Sequence, residues 1–201
     1  MMPSFDGSSI DGGAYTDVVE LAQRTPGWLD SVIGAWSTYG LALFAVLMLV
    51  AWWRARRRGG PVAVMALAAP VLVALAYVIN DLVKMVVRED RPCQSLHAMT
   101  LEACPAAGDW SFPSNHAAIA GAAAVALLFV SRRLGALAVV AALAMAASRV
   151  WVGVHYPHDV VVGLLVGALV ALLLVWVVRL RSEALARQLT ATLLRPLLVS
   201  S

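Results

Sequence analysis

Residues 62–86 read VAVMALAAPVLVALAYVINDLVKMV, an apolar run that ends in Asn80, Asp81 and Lys84. A helix rises about 1.5 Å per residue, so roughly 20 such residues cross the hydrocarbon layer of a bilayer. Four further segments, 35–53, 115–131, 134–150 and 159–178, qualify or nearly so. Leu, Val and Ala dominate all five. Gly121, Ala122, Ala141, Gly163 and Gly167 supply the small side chains that let membrane helices approach closely. No barrel-type alternation is present. The expected fold is therefore all-α, a polytopic membrane bundle of about five transmembrane helices. Composition agrees: 13% of the 201 residues are charged and mean hydropathy is +0.81, where a soluble domain carries about 25% charge.

Basic residues orient the bundle. Arg54, Arg56, Arg57, Arg58, Arg132, Arg133, Arg179, Arg181, Arg187 and Arg195 make ten of the fifteen, all at one end of the spans. By the positive-inside rule that end faces the cytoplasm, with the Arg54–Arg58 run against anionic lipid. The N-terminus is then outside and the C-terminus cytoplasmic, and the protein is expected as a multi-pass protein of the bacterial plasma membrane. No basic segment precedes an apolar core near residue 1, so the first span is expected to act as a reverse anchor. Three parts follow: an extracytoplasmic leader (1–34) with an interfacial amphipathic helix, the transmembrane bundle (35–180) and a cytoplasmic tail (181–201). A net charge of +3 without a basic groove and interleaved aromatics excludes a nucleic-acid partner.

The exceptions to this charge pattern carry the chemistry. Lys84 and Arg91 close the second span, Pro113-Ser114-Asn115-His116 opens the third, and Ser148-Arg149 with His155 and Asp159 joins the fourth to the fifth. Ionisable groups at a membrane edge cost a few kcal/mol and are functional candidates for that reason. All of them fall at the outer ends of spans. Ser114 to His116 sit where the backbone N–H groups of a helix start favour an anion. Cys93 and Cys104, the only cysteines, lie in the loop 88–112 on that same oxidising side, and are expected to form a disulfide. His97 and His158 belong to no motif and are expected to be ordinary. Arg88, Glu89 and Asp90 are expected as loop ion pairs, and Trp28, Trp151 and Tyr156 as an aromatic interface belt.

Lys84-x6-Arg91-Pro92, Pro113-Ser114-Asn115-His116 and Ser148-Arg149-x5-His155-x3-Asp159 resemble, in order, the three signature motifs of the type 2 phosphatidic acid phosphatase (PAP2) superfamily. Asn115 stands where the commonest family pattern has Gly. The resemblance implies a phosphatase that needs no metal ion or other cofactor. His155 would be its nucleophile, Asp159 the group that orients and charges it, and His116 the proton donor. Lys84, Arg91, Ser114, Asn115 and Arg149 would bind phosphate. The residues argue the same way. Three fixed cations neutralise phosphate oxygens, and two of them are planar forks suited to bidentate contact. An imidazole can attack phosphorus, and a second can protonate the leaving oxygen.

A site at the membrane edge favours a lipid-borne phosphate or diphosphate, with membrane lipids as neighbours. The small size and interfacial leader are similar to the bacterial undecaprenyl-diphosphate phosphatases of that superfamily. Phosphatidate or phosphatidylglycerophosphate is the alternative substrate. A non-catalytic lipid-binding or transport bundle is the alternative class, against which His116, His155 and Asp159 argue.

Overall fold

Apolar runs bounded by Gly, Pro and Arg fold as helices, because within a bilayer only helices satisfy every backbone group locally. The computed structural model describes residues 5–199. Among these the elements are α1 (Ser8–Gln23), α2 (Gly27–Tyr39), α3 (Leu41–Ala55), α4 (Gly60–Val87), α5 (Pro92–Ser95), α6 (Asn115–Val130), α7 (Arg132–Trp151), α8 (Pro157–Thr190) and α9 (Arg195–Leu198). The first four residues of the expected leader and the last two of the expected tail lie outside the described residues.

Three helices, α4, α7 and α8, are long and apolar enough to cross a membrane. The expected span 35–53 is instead a bent pair, in which α2 and α3 meet at 54° and are together long and apolar enough for a fourth crossing if the pair is one span. The break falls at Gly40, where a Cβ would collide with Trp36 and with the Met145 methyl of α7. The expected span 115–131 is α6, apolar throughout but only 16 residues long. At about 24 Å it is shorter than the hydrocarbon layer. The last span runs past 178 without a break, to Thr190, and its Ala186 packs on Gly60 at the start of α4.

Close contact between α6 and α8 sets the centre of the bundle. Gly163 and Gly167 lie one turn apart on α8. A Cβ at Gly163 would sit 2.5 Å from the Ser114 carbonyl oxygen, and one at Gly167 would overlap the Ala118 carbonyl. From the other side, Gly121 of α6 leaves 2.6 Å to the Leu164 carbonyl oxygen. With no hydrophobic drive between helices in lipid, such small-residue contacts hold membrane helices together. Here they also fix the start of α6 against the start of α8, where the Ser114 amide donates to the Asp159 carbonyl at 3.0 Å.

The segment α1 packs on the same end. Its Gly12, Tyr15, Val19 and Ala22 are buried, Tyr15 and Val19 in a cluster with Val150, Tyr156 and Val160, while Ile10 and Leu21 stay exposed. At the opposite end, Arg54, Arg58, Arg132 and Arg133 surround one cavity of about 420 Å³. The charge asymmetry along the sequence is thus a physical asymmetry between the two ends.

Candidate active site

Helix ends and two short connections deliver the motif residues to one place. Lys84 is on the last turn of α4 and Arg91 directly precedes α5. Ser114 is the N-cap of α6 and His116 is in its first turn. Arg149 is on the last turn of α7 and Asp159 on the first turn of α8. His155 lies in the turn between those two helices. Gly153 makes that turn possible, with φ at 87° and no room for a Cβ against Thr100.

His155 is only 2% exposed. Its Nδ1 lies 3.1 Å from Asp159 Oδ2, and its Nε2 lies 3.3 Å from Arg91 Nη1. A guanidinium can only donate, so Nε2 accepts and the ring proton is on Nδ1, donated to Asp159. Burial, and then the charges of Arg91, Lys84, Arg149 and His116, hold the imidazole well below the usual histidine range. Asp159 is fully buried. Its Oδ2 also accepts from the Tyr156 backbone N–H at 2.8 Å and from the Ser111 hydroxyl. The arrangement is a neutral imidazole, oriented by a carboxylate, with its free nitrogen turned toward cations.

Those cations are already engaged by the loop ahead of α6. Arg91 donates through Nε and Nη2 to the Asp109 carbonyl and carboxylate, at 2.8 and 2.9 Å, and through Nη1 to the Val154 carbonyl at 2.9 Å. Arg149 donates to both oxygens of Glu102, at 3.1 and 3.3 Å, and to Ser37. Lys84 donates to the Trp110 carbonyl at 2.9 Å. The Ser114 hydroxyl is buried and has no partner among the described residues. His116, half-buried, makes no side-chain hydrogen bond among them. Cys93 and Cys104 are joined, their Cα atoms 5.9 Å apart, which ties the ends of the segment that carries Glu102.

Asn115 has a different place. Its side chain accepts from Asn80 at 2.7 Å and donates to Asp81 at 3.1 Å, so it bonds α6 to α4. Only its backbone remains for an anion at the helix start.

Two expectations need correction. Tyr156 is no belt residue: it is fully buried, because its ring packs between Tyr15 and His158. His158 is not ordinary either. It contacts Asp11 Oδ1 at 2.7 Å and Glu89 Oε1 at 2.9 Å, and lies 3.6 Å from Asp159. Donor atoms of Glu89, His158 and Asp159 lie within 4.8 Å of one another. With both ring nitrogens held by carboxylates, the group is an ion-pair network. His97 is exposed, on left-handed backbone. Residues that no motif announced include Ser111 and Tyr15, whose hydroxyl donates to the Gly153 carbonyl at 2.8 Å and pins the His155 turn.

The PAP2 superfamily matches residues 65–183, which hold all three motifs. Undecaprenyl-diphosphatase BcrC of Bacillus subtilis is 34% identical over 145 residues, 72% of either chain. Decaprenylphosphoryl-5-phosphoribose phosphatase of Mycobacterium tuberculosis is 37% identical over 132 residues, 65% of this chain and 67% of that one. The crystal structure of a transmembrane PAP2-type phosphatidylglycerolphosphate phosphatase from Bacillus subtilis superimposes with a TM-score of 0.60, at 20% identity and over 86% of each chain. By sequence over more than half its length and by fold, the chain belongs to the PAP2 superfamily.

Proposed function

We propose that this membrane lipid phosphatase hydrolyses undecaprenyl diphosphate to undecaprenyl phosphate at the extracytoplasmic face, through a phosphohistidine on His155. One observation carries the mechanism: the Nε2 of a neutral, Asp159-held His155 points at Arg91. A terminal phosphoryl group taking the place of the Arg91–His155 contact would meet the nucleophile and a fork-shaped cation together. Nε2 attacks phosphorus and the bridging P–O bond breaks. The leaving oxygen takes its proton from His116, and the lipid monophosphate departs. His116 then removes a proton from water, whose oxygen attacks the phosphohistidine and releases orthophosphate. Asp159 balances the positive charge that His155 carries in between. Lys84, Arg91 and Arg149, with the Ser114 hydroxyl and the α6 amides, hold the phosphoryl oxygens. Ten basic residues at the far end support the orientation. The names of the two relatives, both prenyl-lipid phosphatases, support the substrate class.

A substrate panel in detergent tests this reading. Undecaprenyl diphosphate is expected to be turned over in excess EDTA, faster than phosphatidate or phosphatidylglycerophosphate, and orthovanadate is expected to inhibit. Full dependence on added Mg²⁺ would sink the mechanism, and a preference for a glycerophospholipid would sink the substrate assignment.

Glu102 gives a separate prediction. Its carboxylate occupies Arg149 as a phosphate would, so substrate and product compete with it. Glu102→Gln is expected to lower the inhibition constant for orthophosphate about threefold to tenfold, which is about 1 kcal/mol. A raised constant would mean that Glu102 chiefly holds Arg149 in place.

A further inference from the structure

Asp11, His158 and Glu89 belong to no motif, yet they converge behind the carboxylate that orients the nucleophile. Asp11 Oδ2 accepts the His158 backbone N–H at 2.7 Å, and its Oδ1 lies 2.7 Å from the ring Nδ1. Glu89 Oε1 lies 2.9 Å from Nε2. Ionised carboxylates only accept hydrogen bonds, so both ring nitrogens donate and the ring is an imidazolium. Tyr156 stacks on it, with centroids 5.3 Å apart and planes at 16°, and fixes its tilt.

The charges require such a cation. Glu89 is 1% exposed and Asp159 fully buried. Two buried carboxylates side by side are costly unless a positive group lies between them. Asp159 divides its work between its oxygens. Oδ2 takes His155, Ser111 and the Tyr156 amide. Oδ1 has no hydrogen-bond partner among the described residues, and faces the imidazolium at 3.6 Å. The N-terminal segment is built into this contact. Phe5 exchanges backbone hydrogen bonds with Arg88 and Asp90 on either side of Glu89. A Cβ at Gly7 would overlap the Glu89 carboxylate.

We propose that His158, clamped by Asp11 and Glu89, is a positioning residue that keeps Asp159 ionised against His155, which makes the N-terminal segment a working part of the catalytic centre. This rests on the roles proposed above for His155 and Asp159. Asp159 faces His158 on its own helix, Glu89 from the segment after α4, Ser111 from the loop and His155 from the preceding turn. His155 in turn faces Arg91, Lys84, Arg149 and His116. His158 faces Asp11, with Asp6 of the same segment acting at Tyr156. Removing the imidazolium charge lets Asp159 take a proton at higher pH, and raises the proton affinity of His155. Either protonation disables the nucleophile, so both effects move the acid limb of kcat/KM upward.

The test uses full-length protein in detergent and whichever lipid phosphate of the panel it hydrolyses fastest, so a wrong substrate assignment does not affect it. His158→Gln is expected to lower kcat about tenfold or more, to leave KM within about threefold, and to raise the acid limb by about one pH unit. Asp11→Asn, a milder change in a half-buried side chain, is expected to shift the limb in the same direction, and it carries the test alone if His158→Gln does not fold. The double variant is expected to be no worse than His158→Gln, since the two act through one contact. A limb unmoved in the folded variants, with kcat lowered or not, would reduce the cluster to a fold clamp and overturn the inference. Retained activity in His155→Ala would instead overturn the underlying mechanism.

Discussion

His155→Ala is expected to yield a folded protein that turns over no lipid phosphate and traps none covalently, a loss of about four orders of magnitude or more. A nucleophile cannot be bypassed, because no other imidazole or carboxylate can occupy the position where Nε2 meets Arg91. His116→Ala is expected to behave differently. An acid matters less as the leaving group becomes a weaker base, so this variant should still load His155 from an aryl phosphate ester and then hydrolyse slowly. Rapid quenching with a labelled ester, at alkaline pH where phosphohistidine survives, separates the two. Label trapped normally by His155→Ala and not by His116→Ala would exchange the roles. The same geometry sets a pH expectation. Burial and the surrounding cations hold His155 below its ordinary pKa of 6.5, so its neutral, attacking form persists as pH falls. Protonation of His155 itself is therefore expected to limit kcat/KM only below pH 6.5, and a wild-type limb above that value would report Asp159 taking a proton instead.

Asp159→Asn is expected to lower kcat by about three orders of magnitude while the protein keeps its fold. Ser111 and the Tyr156 amide both donate to Oδ2, so an amide oxygen would take the same seat and still accept from His155 Nδ1. What disappears is the charge that offsets the cation on His155 after attack. Stability should hold or rise, since a buried carboxylate is expensive to keep ionised. Thermal unfolding of the purified variant, compared with its kcat, tests both halves. A fall of less than tenfold in kcat would mean that Asp159 orients His155 without stabilising its charge.

The helices and the motif positions were legible in the sequence for one reason. In a bilayer a charged or imidazole side chain stands out against an apolar run, and the ends of runs are where such groups can lie. Lys84, His116, Arg149 and Asp159 all follow that rule. The break at Gly40 was not legible, because the close packing that leaves no room for a Cβ there includes the Met145 methyl of a helix a hundred residues away. Nor were Ser111, Asp11, Tyr15 and Glu89, which lie in polar connecting segments or on α1, at no fixed spacing from the site. The signal nearest to hand was His158, directly beside Asp159 and on the first turn of α8, where an ionisable ring needs a partner. Asn115 lies at the helix start, as its motif position implies, but its side chain bonds to α4, a use that depends on Asn80 and Asp81 lying one helix away.

Tyr15 and Asp11 reach their partners across 138 and 147 residues of chain. Such distant contacts form late, because the loop they close must be ordered first. Tyr15 can reach Gly153 only after α7 has been made, and Asp11 can reach His158 only after α8 has begun. A nascent chain that stalls before α8 holds Lys84, Arg91, His116, Arg149 and the turn with His155, but lacks Asp159. On the roles proposed for His155 and Asp159, catalytic competence is therefore expected only with the final helix, which brings the carboxylate to an imidazole already made.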